Sequence, residues 1–315
     1  MVRYYQKKNN IIEELQEPVS GCWVNISAPF SHEELENTSE TFNIPLDFLT
    51  DSLDIDERSR YEKEDDVRLI VINTPILNEL DRENEAIYIT VPIGVIITSD
   101  HVFTITSFEN PVLELFLENR IKYFDTTQQG LFVLQILEQN VYRYLACLKK
   151  LNLQRHLIEK ELYDSILNKD LRQLLRIQKS LVYFVNSLSA NELLNMKMKR
   201  TDFLIIMNDE EKSEIFEDLI IDNKQALEMA NVHTNILNGT METYSSIISN
   251  NLNMVIQRLT LITIILMVPT LVASFYGMNV DLPFATFKYS FYIVLLFAIV
   301  ISLGLVWFFR RKRLF

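Results

Sequence analysis

Thr260, Thr263, Met267, Thr270, Ser274 and Gly277 recur at spacings of three and four residues, which is how a helix gathers side chains on one face. The same alternation, continued toward the N-terminus, takes in Ile256 and Asn253, while the remaining positions are Leu, Ile and Val. Hydroxyl, amide and thioether groups carry no net charge, so such a face meets the waters around a cation without gripping the ion as a carboxylate would. Two arrangements produce this pattern. Small and hydroxyl-bearing residues let two helices approach and bond across a membrane, or several copies of the stripe surround a water-filled pore as successive rings. The stripe alone leaves both open.

The element that carries the stripe is apolar enough to cross a bilayer. Leu259 to Tyr276 contains eighteen residues without a charge, nearly enough helix for a hydrocarbon core of roughly 30 Å. A second apolar run, Ser290 to Phe309, has Tyr289 and Tyr292 at one end and Trp307 near the other, the aromatic placement of bilayer interfaces. Arg310, Arg311, Lys312 and Arg313 follow it and assign that end to the cytoplasm by the excess of positive charge. Two spans return the chain to its starting side, and MVRYYQKKNN lacks the apolar core of a secretory signal. Both termini are therefore expected in the cytoplasm, with the protein in the cell membrane.

Composition narrows the function. Forty-two acidic residues against 30 basic ones, a formal charge of −12, oppose binding to a phosphate backbone, so no nucleic acid partner is expected. Cys22 and Cys147 are isolated from each other and from any Cys/His ligand spacing; both are expected to be buried thiols in a reducing compartment. His156 and His233 each stand alone on helical segments, and no nucleophile and base constellation accompanies them. An enzyme is the least supported class.

Upstream, short runs alternate in character to about residue 120. Gly21–Ser27, Val67–Asn73, Ala86–Thr98 and His101–Thr106 are β-branched or aromatic and read as strands of a mixed sheet, with Ser99-Asp100 as a hairpin turn. Ser31-His32-Glu33-Glu34 predicts a capping box, and Pro45 opens a second helix running through Ile55. Asp51 to Asp66 is half acidic and reads mainly as a solvated loop and helix surface. From 126 the pattern becomes heptad-like, predicting two long helices broken at Asn168-Lys169-Asp170, whose apolar faces bury one another.

Asn208, with Glu211 three residues on, predicts the cap of one final helix starting near Asp209. Continuous to Tyr276, it would be about 100 Å long, a stalk that becomes the first span. Its polar residues crowd just before the membrane, and Gly239 is the place of lowest helix stability. The expected division is a cytoplasmic α/β domain at 1–125, a helical hairpin at 126–208, the stalk at 209–258 and a pore-lining span at 259–276. An outer loop at 277–288, a second span at 289–309 and a basic tail at 310–315 complete it.

Tyr276-Gly277-Met278-Asn279, directly after a C-terminal span and followed by a short loop, a second span and a basic tail, resembles the CorA family of magnesium transporters, the two-span Gly-Met-Asn class. The resemblance covers most of the chain at the level of architecture. It implies an α+β cytoplasmic domain with a mixed sheet flanked by helices, a long stalk helix, two C-terminal transmembrane helices and a funnel-shaped homo-oligomer of five copies. It also implies that Asn279 meets the hydrated ion at the outer mouth, beside Gly277, and that Asn253, Met267 and Thr270 line the pore. The family's Met-Pro-Leu-Thr run stands here as Met267-Val268-Pro269-Thr270, with the proline one place later; Ile256 replaces a thioether, and the loop keeps one acid, Asp281.

The same resemblance matches Asp51 and Asp218 to a regulatory magnesium site shared across subunit boundaries, with Asp54 and Asp222 about one turn further on as assisting donors. The implied function is passive uptake of Mg²⁺, with Co²⁺ and Ni²⁺ as further candidates, driven by the membrane potential and closed by cytoplasmic Mg²⁺. A zinc transporter could use the same scaffold, although relatives in that role commonly replace the motif's Met, here Met278. A membrane-tethered sensor or scaffold would need no polar stripe.

Overall fold

The structure, a computed structural model, describes residues 1–8, 11–78, 84–164, 168–278 and 288–312, and falls into two compact units, Met1–Gly239 and Thr240–Phe315. The first unit is built on a seven-stranded sheet. Its strands are β1 (Val2–Lys8), β2 (Ile11–Leu15), β3 (Trp23–Ser27), β4 (Arg60–Glu64), β5 (Val67–Leu77), β6 (Tyr88–Ile97) and β7 (Val102–Thr106), in the order β2-β1-β3-β7-β6-β5-β4. β3 and β7 pair in parallel and the other neighbours antiparallel, which makes the sheet mixed.

Both faces are covered, as strict alternation along β3 requires. Val24 and Ile26 point to one side, into a core with Leu35, Phe48 and Leu49 from α1 (His32–Phe42) and α2 (Leu46–Asp51). Trp23 points to the other side, where its ring meets Phe116 of α3 (Pro111–Leu117), Phe124, and Phe132 of α4 (Gln129–Asp164) at 5.3–6.4 Å between centroids. The indole N–H donates to Thr104 Oγ1 at 2.7 Å, so burying the tryptophan leaves no donor unpaired.

One proline shapes how helices attach to this sheet. Pro92 faces Asn73 across β5 and β6 and has no N–H to offer. The Asn73 carbonyl instead accepts from Asn140 Nδ2 (3.0 Å) and Tyr144 OH (2.9 Å) on α4, and from Asn191 Nδ2 (3.1 Å) on α5 (Asn168–Thr201). The two long helices therefore bond to the sheet, a contact that the expected hairpin of mutually buried faces did not include.

The predicted capping box at Ser31 and Glu34 is present, with both reciprocal bonds. The helix after Pro45 ends at Asp51 rather than Ile55. Ser52 is fully buried, bonds back to Phe48 O and sits under the sheet at Gly94, where a Cβ would lie 2.0 Å from Ser52 Oγ. The acidic stretch contains strand β4, so it is not only loop and helix surface. β1, β2 and α3 also form where no element was expected.

Helix α6 (Glu210–Tyr276) is capped by Asp209, not Asn208: Asp209 Oδ1 accepts from Lys212 N at 3.2 Å, and Asp209 O from Ser213 N at 2.9 Å. Within the first unit α6 is held to α5 by buried Asn223, whose Nδ2 donates to Leu188 O at 3.1 Å, and by Gln178 Nε2 bonding Asn238 Oδ1 at 2.7 Å. Helix α7 (Ser290–Arg311) completes the second unit. The membrane-span segment of α6 and all of α7 are long and apolar enough to cross a bilayer, and little of either is buried.

Candidate ion pathway and regulatory carboxylates

Within the second unit, α7 decides which side of the α6 span is free. In the α6 span the residues withdrawn from solvent, Leu261, Ile265, Val268, Pro269 and Val272, follow spacings of four, three, one and three. At about 100° per residue they form one face. Leu261 is 7% exposed, and Ala298 of α7 is 3% exposed. Asn253, Ile256, Thr260, Thr263, Met267, Thr270, Ser274 and Gly277 are all exposed, and the same helical arithmetic places them roughly 160° around the axis from that face. From Asn253 to Ser274 the stripe therefore stays clear of the contact between the chain's own two spans, and Gly277 borders that contact at its outer end.

The threonines in the stripe also have a defined polarity. Thr260 Oγ1 donates to Ile256 O at 2.9 Å, Thr263 Oγ1 to Leu259 O at 2.9 Å, and Thr270 Oγ1 to Leu266 O at 3.1 Å. Each hydroxyl proton is committed to its own helix, which leaves the oxygen lone pairs outward as acceptors. Waters bound to a cation direct their hydrogens away from it, so a wall of acceptors suits a hydrated ion. Met267 and Ile256, 60% and 52% exposed, separate the hydroxyl levels with uncharged surface.

At the outer end α6 finishes at Tyr276. Gly277 N donates to Ala273 O at 3.0 Å and Ser274 O at 3.2 Å, and Met278 N to Phe275 O at 3.2 Å. A Cβ on Gly277 would meet only ordinary contacts, 3.4 Å from Ala273 O. Nothing among the described residues of the chain requires glycine there. Tyr276 and Met278 are exposed, while Asn279 and Asp281 lie outside the described residues. At the far end of α7 the Arg311 guanidinium lies 5.3 Å from the Trp307 ring centroid, a cation–π pair suited to an interface.

The first unit holds the regulatory candidates. Asp51, the last residue of α2, accepts from Arg60 Nη2 at 2.7 Å; Arg60 Nε also pairs with Glu57 at 3.0 Å, and its Nη1 with Glu62. Partial burial raises the Asp51 carboxyl from its ordinary value, against the opposing pull of Arg60 and with help from Glu57, Asp47 and Glu62. Asp54 is in the turn after α2, where its Oδ1 accepts from Asp56 N at 3.0 Å, rather than one helical turn beyond Asp51.

Asp218 is exposed and Asp222 half-exposed on α6. They face Tyr142 of α4, whose phenol is pushed up by burial first and then by Glu138, Asp222 and Asp218. Asp51 and Asp218 thus have different charged neighbours within one chain. Among the described residues no three His, Cys, Asp or Glu side chains gather as a metal group. Arg60 stands in the sequence as one of three basic residues interrupting the acidic run, with nothing local to single it out. Its approach to Asp51 depends on β4, which composition concealed.

Comparison with known proteins agrees with this architecture. The family described as CorA-like Mg²⁺ transporter protein matches residues 20–311. The chain is 28% identical over 292 residues to the cobalt/magnesium transport protein CorA of Methanocaldococcus jannaschii, covering 92% of this chain and 90% of that one. It is 23% identical to the protein so named in Thermotoga maritima, covering 92% and 82%. The complete structure of the M. jannaschii CorA magnesium transporter superposes with a TM-score of 0.82 at 26% identity, over 99% of this chain and 98% of that one. With 292 of its residues inside the family match and the sheet, long helix and paired apolar helices in the expected order, the chain belongs to the family of CorA-like Mg²⁺ transporters.

Proposed function

We propose that this chain forms a passive conduit for hydrated Mg²⁺, with Co²⁺ as a second cargo, lined by the α6 stripes of several identical copies. The observation that carries the proposal is the exposed row of acceptor oxygens on the side of α6 away from α7. One stripe cannot enclose water, so the pathway needs a homo-oligomer, and five copies is the number the family resemblance implies. Mg²⁺ sheds its waters reluctantly; a neutral wall lets the ion keep them and leave again. No energy source beyond the potential is needed, since a divalent ion moving inward across 100 mV gains about 4.6 kcal/mol, twice the roughly 2.3 of one elementary charge. Asn279 with Gly277 and Met278 forms the outer selecting ring, and both termini lie in the cytoplasm.

Regulation uses Asp51 of one copy and Asp218 of the next, with Asp222 assisting. Two carboxylates plus retained waters form an oxygen set appropriate to Mg²⁺. In the absence of the ion, Arg60 occupies Asp51 and the facing acids repel. The bound ion would supply the positive charge that holds neighbouring copies together, and the shift is limited by its preference for the closed arrangement.

Substituted-cysteine accessibility tests the pathway. Thr263→Cys and Thr270→Cys should react with a membrane-impermeant thiol reagent and lose flux on reaction, whereas Val268→Cys, on the α7 side, should not. Equal reactivity at all three would remove the distinction on which the pathway rests.

A further inference from the structure

Helix α6 contains one proline, Pro269, within the span. Proline brings no N–H, so the carbonyl four residues earlier, Ile265 O, loses its helical donor. In hydrocarbon no water replaces that donor, and an unsatisfied carbonyl costs several kcal/mol. The helix nevertheless continues to Tyr276.

Helix α7 brings a hydroxyl to this point. Ser302 is the only Ser or Thr between Tyr292 and the end of the chain, and its Oγ lies 3.5 Å from Ile265 O, longer than the roughly 2.5–3.0 Å of a closed O–H···O bond. The stripe threonines donate within their own helix, whereas Ser302 donates across to the other span. The surroundings are tight before the proline, where Leu261 is buried. Around and beyond Pro269 the same two helices leave a cavity of about 450 Å³ lined by Pro269, Val272, Ala273, Ser290 and Val294, among others.

We infer that Ser302 is a positioning residue for the ion pathway: its hydroxyl serves the carbonyl that Pro269 frees and pins α7 to α6 at the proline. That pin sets the direction of the outer part of α6, which carries Thr270, Ser274 and Gly277. Its consequence for transport rests on the pathway reading above; the hydrogen bond itself does not.

A double-mutant cycle on the full-length protein separates the two. In detergent titration, Ser302→Ala should change the unfolding equilibrium constant about threefold, the average for interhelical hydrogen bonds in membranes. In the Pro269→Ala background, where the restored N–H serves Ile265 O, the same change should have no effect; Pro269→Gly restores the N–H as well and replaces Pro269→Ala if that variant does not assemble. Ser302→Thr should retain the wild-type value. Equal losses in both backgrounds would overturn the assignment of Ser302 to the freed carbonyl. In liposomes, Ser302→Ala should lower Mg²⁺ flux and alter thiol reactivity at Ser274→Cys while leaving Thr260→Cys unchanged. Coupling in stability with neither of those changes would overturn the positioning role, whereas absence of flux in the wild-type protein would instead sink the pathway reading.

Discussion

Arg60→Gln should make the transporter close at lower cytoplasmic Mg²⁺. In the structure the Arg60 guanidinium occupies Asp51 at 2.7 Å, so an ion claiming that carboxylate must first displace it. The side chains of Arg60 and Asp51 are 31% and 42% exposed, which places the pair among solvent-screened bridges of about 0.2–1 kcal/mol. With 1.4 kcal/mol per tenfold, removing the competitor lowers the half-inhibiting Mg²⁺ concentration by about 1.4- to fivefold per site. Glu57 and Glu62 also lose their partner, and the added negative charge acts in the same direction. Stability should change little, since Arg60 lies on the edge strand β4. The assay is flux from liposomes loaded with graded internal Mg²⁺, with Arg60→Gln measured alone and with Asp51→Asn. A rise in the half-inhibiting concentration, or the same shift when Asp51 is already Asn, would refute the competition argument.

Asn279→Ala should abolish uptake while the oligomer still assembles, as read by size-exclusion chromatography in mild detergent beside flux; transport at the wild-type rate would remove the motif as the selecting element. The Asp51→Asn, Asp218→Asn double variant should lose inhibition by internal Mg²⁺, and inhibition at the wild-type concentration would place the sensor elsewhere. Gly94→Ala should destabilise the first unit by about 1–3 kcal/mol or more, because its Cβ would fall 2.4 Å from Ser52 Cβ and 2.6 Å from Ile105 Cγ2; thermal unfolding followed by circular dichroism measures this.

The legible parts of this chain were those whose physics is local. An uncharged run of eighteen residues, a Ser-x-x-Glu cap and the Ser99-Asp100 turn each announce themselves within a few positions. The two edge strands did not. β2 (IIEEL) and β4 (RYEKE) pair on one side only and face water, so neither needs the alternating apolar pattern that identifies a half-buried strand. α3 was overlooked although Asn110 before Pro111 is an N-cap followed by a first-turn proline, and Asn110 Oδ1 does accept from Val112 N. Asp209 outcompeted its neighbour Asn208 by one position, a choice that depends on how the chain leaves Ile206 and not on residue type. The stripe on α6 was visible as a period, but which way it faced depended on where α7 packs. That contact lies 30 to 40 residues away in sequence, as in Ser302 to Ile265.

The most direct measurement is Mg²⁺ entry into sealed liposomes that contain only this purified protein, with the potential set by a potassium gradient and ionophore. The account predicts entry without ATP, faster as the interior is made more negative and suppressed by raising internal Mg²⁺. Entry that is absent, or indifferent to the potential, would contradict it.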